Sequence, residues 1–195
     1  MIQNNNSNVW SEAFLFFKEK HKDQKYGDGL EYWHHLYTVA STLQSAIDEC
    51  KEFDDQTKKD LLIAATGHDS LEDTDTTKEE IKNLFGQQVL DFIKAMTNDV
   101  GDHDTSSYEQ KMLNNPEEIR LLKMCDTIDN YTRICYRAKD NGPKFLKEKI
   151  MPIMENMTQK ILKTEFTNYP TTASFLKQRL RCAYTLATTA LDLAE

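Results

Sequence analysis

The residue pair His68-Asp69 directly follows an apolar helical run, and it is the feature of this sequence that points most clearly to chemistry. Imidazole nitrogen and carboxylate oxygen are both good ligands for Mn²⁺, Fe²⁺ or Zn²⁺, so this pair provides half of a coordination shell at a buried helix end. Gly67, just before the pair, lets the backbone approach a neighbouring element closely. Glu72 and Asp73 come next and would face the open side. The segment therefore predicts a metal site beside an acidic pair.

Two further helices offer ligands of the same types. In a predicted helix upstream, His35 shares its face with Val39, whereas His34 lies about 100° around the helix and points elsewhere. In a predicted helix downstream, which begins after a proline, Asp126 and Asn130 lie one turn apart. A bundle of these helices could enclose one divalent ion and leave room for water or substrate.

Each of these residues also has an ordinary structural explanation. A lone histidine on an apolar face is more often a satisfied core residue than a ligand, and acids after a helix are often solvated. Asp126 could cap or pair, and Asn130 could lie on the surface. The metal site is favoured by the joint occurrence of the ligand types on three helices.

The composition limits the class of partner. The chain has 195 residues and a formal net charge of −8, which argues against a nucleic-acid polymer or an anionic membrane as the main partner. A small phosphorylated substrate is compatible with this net charge, because a bound cation and a few local basic residues can offset the negative potential of the protein. The four cysteines are widely spaced without a CxxC motif, which predicts reduced thiols in a cytoplasmic protein. No segment approaches the roughly 18 apolar residues of a membrane span.

Apolar periodicity predicts an all-α chain with no convincing strand. We expect residues 1–8 to be disordered and residues 9–195 to form one domain, a bundle of about eight to ten helices, since the length suits one core. The polar segment 98–114 predicts a loop over the site, in which Tyr108 to Leu113 could form a turn of helix. Two helices, at about 144–165 and 172–194, would complete the bundle.

Helix boundaries carry local signals of their own. Asp54 or Asp55 can cap the helix that leads to the histidine-aspartate pair. Thr76 and Thr77 each stand three residues before a glutamate, the capping-box pattern, and predict a helix that stops at Gly86.

Three segments, in this order, carry a resemblance to a known family: YWHHLYTVA, GHDSLEDTDTT and KMCDTIDN. The chain resembles the HD superfamily of metal-dependent phosphohydrolases. The pattern HDxxEDTDxT, with the LFG and MTND segments after it, is similar to the hydrolase domain of the RelA/SpoT alarmone enzymes and to the small stand-alone hydrolases that include the metazoan SpoT homologue. The resemblance covers roughly residues 12–138 and implies an HD-type helical bundle.

The resemblance also implies a role for each matching residue. Glu72 and Asp73 match the acidic pair that positions or activates the attacking water. Asn130 matches an asparagine that contacts the nucleotide sugar or phosphate, and Lys123 matches a lysine three residues before the last metal ligand. The metal is normally Mn²⁺ in that family, with Fe²⁺, Zn²⁺ or Co²⁺ as alternatives, and four residues would hold it: His35, His68, Asp69 and Asp126.

The chain departs from the family at positions that usually contact the substrate. A basic pair is common nine and eight residues before the first ligand histidine, whereas this chain has Tyr26 and Gly27 there, with Lys25 one residue further. Tyr26 can stack on a purine but carries no charge. The arginine expected two residues after Asn130 is displaced by one position, to Arg133. Lys25, Tyr26 and Arg133 are therefore candidate substrate contacts, and the base preference stays open.

Three functions are compatible with these residues. The first is removal of the 3′-diphosphate from guanosine tetra- or pentaphosphate-like alarmones, giving GDP or GTP and pyrophosphate, with a divalent ion acidifying the attacking water. The second keeps the metal but acts on an adenine alarmone, on the 2′-phosphate of NADPH or on a nucleoside monophosphate. The third is a non-catalytic nucleotide-sensing module. The presence of both Glu72 and Asp73 disfavours the third, because a decayed site has no reason to keep them.

Overall fold

The computed structural model describes residues 10–27, 29–98 and 105–194, and the expected disorder of residues 1–8 lies outside them. The described chain is helical, as predicted, with ten helices of eight residues or more. Its β structure is limited to one isolated bridge between Lys25 and Glu31. In chain order the helical segments are α1 (Ser11–Lys20), α2 (Trp33–Cys50), α3 (Asp55–Gly67), α4 (Ser70–Asp73), α5 (Lys78–Phe85), α6 (Gln87–Met96), α7 (Thr105–Asn114), α8 (Glu117–Thr132), α9 (Ile134–Asn141), α10 (Pro143–Phe145), a π-helical turn (Leu146–Ile150), α11 (Met151–Lys163) and α12 (Pro170–Leu193).

Helix α8 lies at the centre of the core, packed against α12 on one side and α2 on another. Helix α2 in turn packs against α3. Leu36 of α2, Leu62 of α3 and Leu122 of α8 are fully buried where these helices meet. The three helices that carry the predicted metal ligands are therefore direct neighbours. That residues 9–195 form a single domain stays a prediction.

Gly67 closes the distance between α3 and α1. A Cβ atom at Gly67 would lie 2.3 Å from Cζ of Phe17, so only hydrogen fits there. The sequence predicted such a close approach. It fixes the end of α3 against α1 and so sets the position from which His68 extends.

The local helix signals are confirmed. Asp54 caps α3, because its carboxylate accepts hydrogen bonds from the backbone N–H groups of Gln56 and Thr57. Thr77 and Glu80 form the capping box that opens α5, and Gly86 ends that helix in a positive-φ conformation.

Within the segment 98–114, the helix is longer than the single turn predicted at 108–113. Helix α7 begins at Thr105 and runs to Asn114, although most of its residues are polar. Tyr108 and Met112 lie one turn apart, Met112 is fully buried, and the Tyr108 ring packs against the core. Two apolar contacts on one face are enough to hold a polar helix on the bundle. Residues 99–104 lie outside the described part.

Within the described ranges, no helix is both long enough and apolar enough to cross a membrane.

Candidate metal centre

Three buried side chains from α2, α8 and the end of α3 converge on one point. One potential ligand atom from each of His35, His68 and Asp126 lies within 4.8 Å of the others. The two Nε2 atoms are 3.2 Å apart, and Oδ1 of Asp126 lies 3.3 Å from Nε2 of His35 and 3.7 Å from Nε2 of His68. The structure thus brings together residues that are 33 and 58 positions apart in sequence.

Asp69 reaches the same point from the turn between α3 and α4. Its Oδ2 atom lies 3.1 Å from Nε2 of His68 and 3.4 Å from Nε2 of His35. The same oxygen accepts a 2.6 Å hydrogen bond from the hydroxyl of Tyr32. All four predicted ligands are therefore adjacent, and Tyr32 holds the fourth in place.

Protein acceptors hold the outward nitrogen of each histidine. Nδ1 of His68 lies 2.9 Å from the carbonyl oxygen of Ala65, and Nδ1 of His35 lies 2.7 Å from Oδ2 of Asp129. When Nδ1 carries the proton, Nε2 keeps its lone pair for a cation, which is the usual arrangement of metal-binding histidines. Two imidazole nitrogens and two carboxylates suit Mn²⁺, Fe²⁺ or Zn²⁺, so the residues present fit a divalent ion.

The charges at the cluster favour a cation. Burial alone would lower the pKa of His35, but hydrogen bonds to Asp126, Asp129 and Asp69 outweigh it and raise that pKa well above its ordinary value. The pKa of His68 is likewise raised to about 9, against the effect of burial, chiefly by the charge of Asp69. The negative potential that draws protons onto these imidazoles is the potential that attracts a divalent cation.

Glu72 and Asp73 lie on α4, one helical turn beyond Asp69. Oε1 of Glu72 accepts a 2.5 Å hydrogen bond from the backbone N–H of Asn98. Oδ2 of Asp73 lies 3.4 Å from the hydroxyl of Tyr32, the same hydroxyl that binds Asp69. Partial burial raises the pKa of both carboxyl groups, which makes them stronger bases when ionised.

Lys123 and Asn130 flank Asp126 on α8. Nζ of Lys123 lies 2.8 Å from Oδ2 of Asp126, and Nδ2 of Asn130 donates a 2.6 Å hydrogen bond to Oδ1 of the same carboxylate. All three line a cavity of about 420 Å³, which opens beside the ligand cluster. The two predicted substrate contacts on α8 therefore lie between the ligand cluster and an open space.

The three remaining candidate substrate contacts differ in burial and in their partners. Tyr26 is buried, its ring packs 4.8 Å from that of His35, and its hydroxyl donates a 3.0 Å hydrogen bond to Asn130. Nε of Arg133 lies 3.7 Å from Oδ1 of Asp129. Lys25 is exposed on the loop before α2. Their contacts with a substrate stay predictions.

Sequence reasoning missed three residues that support the site: Asp129, Tyr32 and His21. His21 is buried, its ring stacks on Tyr32 with 4.8 Å between centroids, and its Nδ1 atom lies 2.8 Å from Oε1 of Gln24. The spacing of Asp129 and Tyr32 was a usable signal. Asp129 lies three residues after Asp126 on α8, and Tyr32 lies three residues before His35, next to the first turn of α2. His21 lies four residues after Phe17, directly beyond the end of α1.

Comparison with known proteins identifies the family to which this chain belongs. A family model described as an HD domain matches residues 13–128. The guanosine-3′,5′-bis(diphosphate) 3′-pyrophosphohydrolase of Aquifex aeolicus (strain VF5) is 35% identical over 144 residues, which cover 70% of this chain but 19% of that protein. The corresponding enzyme MESH1 of Danio rerio is 30% identical over 127 residues, which cover 63% of this chain and 67% of that protein. This chain thus corresponds to about a fifth of the first relative and two thirds of the second.

The fold is also shared with a solved structure. A metazoan orthologue of SpoT that hydrolyses ppGpp superposes with a TM-score of 0.70 at 20% identity, and the match covers 92% of this chain and 95% of that one. At this identity the likeness concerns the fold, and the family follows from the sequence matches. The chain belongs to the HD domain family and is related to the SpoT/MESH1 ppGpp hydrolases.

Proposed function

We propose that this protein is a divalent-metal-dependent phosphohydrolase that removes the 3′-diphosphate from guanosine tetra- or pentaphosphate-like alarmones, releasing pyrophosphate and GDP or GTP. The observation that carries the proposal is the convergence of His35, His68 and Asp126 within 4.8 Å, with an acidic pair one turn beyond. Relatives named as hydrolases of this nucleotide support the substrate class.

The metal would be held by the Nε2 atoms of His35 and His68 and by the carboxylates of Asp69 and Asp126, and we propose Mn²⁺. Such an ion supplies Lewis-acid chemistry, because it polarises a phosphate oxygen and acidifies water. The contacts of Asp129 and Tyr32 keep the ligands in place before the ion binds, so little reorganisation is needed.

Glu72 and Asp73 are proposed to handle the proton of the attacking water. Desolvation raises the pKa of both carboxyl groups, which makes the carboxylates better proton acceptors than the same groups in water. The backbone N–H of Asn98 fixes one oxygen of Glu72 and leaves the other for water. The hydroxyl of Tyr32 contacts both Asp73 and Asp69. It therefore connects a proposed proton acceptor with a proposed metal ligand.

The reaction breaks one P–O bond. The water oxygen bonds to the phosphorus that carries the ribose O3′, the bond from that phosphorus to O3′ breaks, and O3′ takes up a proton. Lys123 and Asn130 would then contact the phosphate oxygens or the ribose from α8, since both border the cavity next to Asp126. A cationic group and an amide donor beside the reacting phosphate stabilise the negative charge of the transition state.

Purified, Mn²⁺-loaded protein incubated separately with ppGpp, ppApp and NADPH tests the proposal, provided that every product is resolved. We expect pyrophosphate and GDP from ppGpp. Pyrophosphate from ppApp alone would show a preference for adenine. The comparison is relevant because Tyr26 and Gly27 occupy the positions at which the basic pair is common. Orthophosphate from NADPH alone, or no product from any of the three, would overturn the alarmone assignment.

A further inference from the structure

The cavity beside the metal centre is lined by residues of α7, α8 and α11. Its lining includes Asp126 and Asn130 at one end, and Ile153, Met154 and Met157 of α11 at the other. A volume of about 420 Å³ lies within the range of small-molecule sites. None of its described lining residues comes from the loop before α2 or from α9.

The opposite side of the centre is covered by the chain itself. Tyr26 is only 8% exposed, its ring lies against His35, and its hydroxyl is bonded to Asn130. A Cβ atom on Gly27 would lie 3.2 Å from Cγ of Arg137 and 3.4 Å from its backbone nitrogen, so the loop touches α9 directly. A planar group therefore has no open face of Tyr26 on which to stack.

The end of the cavity at α11 suits a nucleoside base better than a phosphate group. Among its described lining residues Lys123 is the single cation, and it already contacts Asp126 at 2.8 Å. Glu109 is buried and paired with Asn156 and with Lys160 of α11, so this lysine is not available to bind a phosphate. Methionine side chains next to it are flexible and polarizable, and they pack well on aromatic rings.

We propose that the nucleoside base of the substrate binds in this cavity, against Met154 and Met157 of α11, and not beside Tyr26. The inference rests on the proposed function, because it assumes a nucleotide whose 3′-phosphate groups lie at the metal centre. The ribose would then pass Asn130, and the base would reach the methionines. Base preference is consequently set by α11, which lies beyond residues 13–128 that the HD domain model matches.

Photolabelling locates the base directly. Mn²⁺-loaded protein is irradiated with 8-azidoguanosine 5′-diphosphate 3′-diphosphate, and the labelled peptide is identified by mass spectrometry. We expect the label within residues 143–163. A label in residues 21–31 or 134–141, or no specific label that unmodified ppGpp displaces, would overturn the inference. Photolabelling reports binding and does not require turnover. A failure of this inference can therefore be distinguished from a failure of the proposed hydrolase activity.

Kinetics of Met154→Ala provide the second test, because Met154 is half-buried and its truncation leaves the core in place. We expect the KM for ppGpp to rise about tenfold, while turnover of an abasic analogue with the same phosphates is unchanged. Gln159→Ala is the matched control, since Gln159 is exposed on the same helix and borders a different groove, towards α12. Equal losses on both substrates, or an unchanged KM for ppGpp, would contradict a base contact at Met154.

Discussion

The Nδ1 atom of His35 lies 2.7 Å from the Oδ2 atom of Asp129, and both side chains are buried. The contact orients the imidazole so that Nε2 faces His68 and Asp126. Carboxylate partners of this kind fix the tautomer of a metal-binding histidine and raise its basicity. Asp129 belongs to the same helix as Asp126, so α8 supplies both a proposed ligand and the residue that orients another.

Asp129→Asn is expected to weaken Mn²⁺ binding roughly 10- to 100-fold, because the amide lacks the charge that polarises His35. Titration calorimetry of metal-free protein with Mn²⁺ measures this affinity. Asp91→Asn is the control, since Asp91 is exposed on α6 and contacts Gln87. Equal affinities for Asp129→Asn and wild type would show that the contact does not orient a metal ligand.

Glu72→Gln and Asp73→Asn are expected to lower kcat for ppGpp by about 100-fold or more while leaving Mn²⁺ affinity within a few-fold of wild type. The reason is that each substitution removes a proton acceptor without removing a ligand. Glu79→Gln, an exposed substitution on α5, should change neither quantity. If both variants kept wild-type kcat, the acidic pair would have no part in moving the proton.

Gly67→Ala is expected to destabilise the fold by about 1–3 kcal/mol, because the added methyl group would overlap the ring of Phe17. Urea unfolding followed by circular dichroism gives the free energy of unfolding. The double variant with Phe17→Leu should recover part of the loss, since a smaller side chain opens the space. A Gly67→Ala protein as stable as wild type would mean that α1 and α3 are not in close contact.

Glu117→Gln tests how α8 holds the segment before α12. The carboxylate of Glu117 accepts hydrogen bonds from the backbone N–H groups of Thr167, Asn168 and Tyr169. Burial opposes ionisation, but these bonds outweigh it and lower the pKa below its ordinary value of 4.5. The stabilisation is therefore present above pH 4.5 and is lost as the pH falls through the folded-state pKa.

At pH 7 the Glu117→Gln substitution should cost about 1–3 kcal/mol in the free energy of unfolding, and the difference from wild type should narrow as the pH falls below 4.5. Urea unfolding across this pH range measures it, with the exposed Glu165→Gln as control. A difference independent of pH would assign the loss to packing and not to the charge.

Part of the candidate site could be predicted from the sequence because His35 and Asp126 lie on regular helices and His68 directly follows α3. The periodicity of α2 selects His35 over His34, and the structure places His35 in the core while His34 stacks on the Trp33 ring. The glycine before His68 predicted a close approach, which Phe17 confirms.

The contacts of the supporting residues could not be predicted in the same way. His21, Tyr26 and Tyr32 meet only because an irregular loop folds back onto α2, and the path of such a loop depends on tertiary contacts that no local pattern encodes. Asp129 had the right spacing from Asp126, but an acid on a helix is usually solvated. The full length of α7 was not predicted, because two buried side chains hold an otherwise polar segment.

We propose that hydrolysis depends on a cation held by His35, His68, Asp69 and Asp126. The most direct test is release of pyrophosphate from ppGpp by wild type and by His68→Ala, each freed of metal and then titrated with Mn²⁺, with bound metal measured in parallel. We predict that wild type gains activity in proportion to the metal bound, whereas His68→Ala binds the metal weakly and releases no pyrophosphate. Activity of wild type without metal, or full activity of His68→Ala, would contradict the claim.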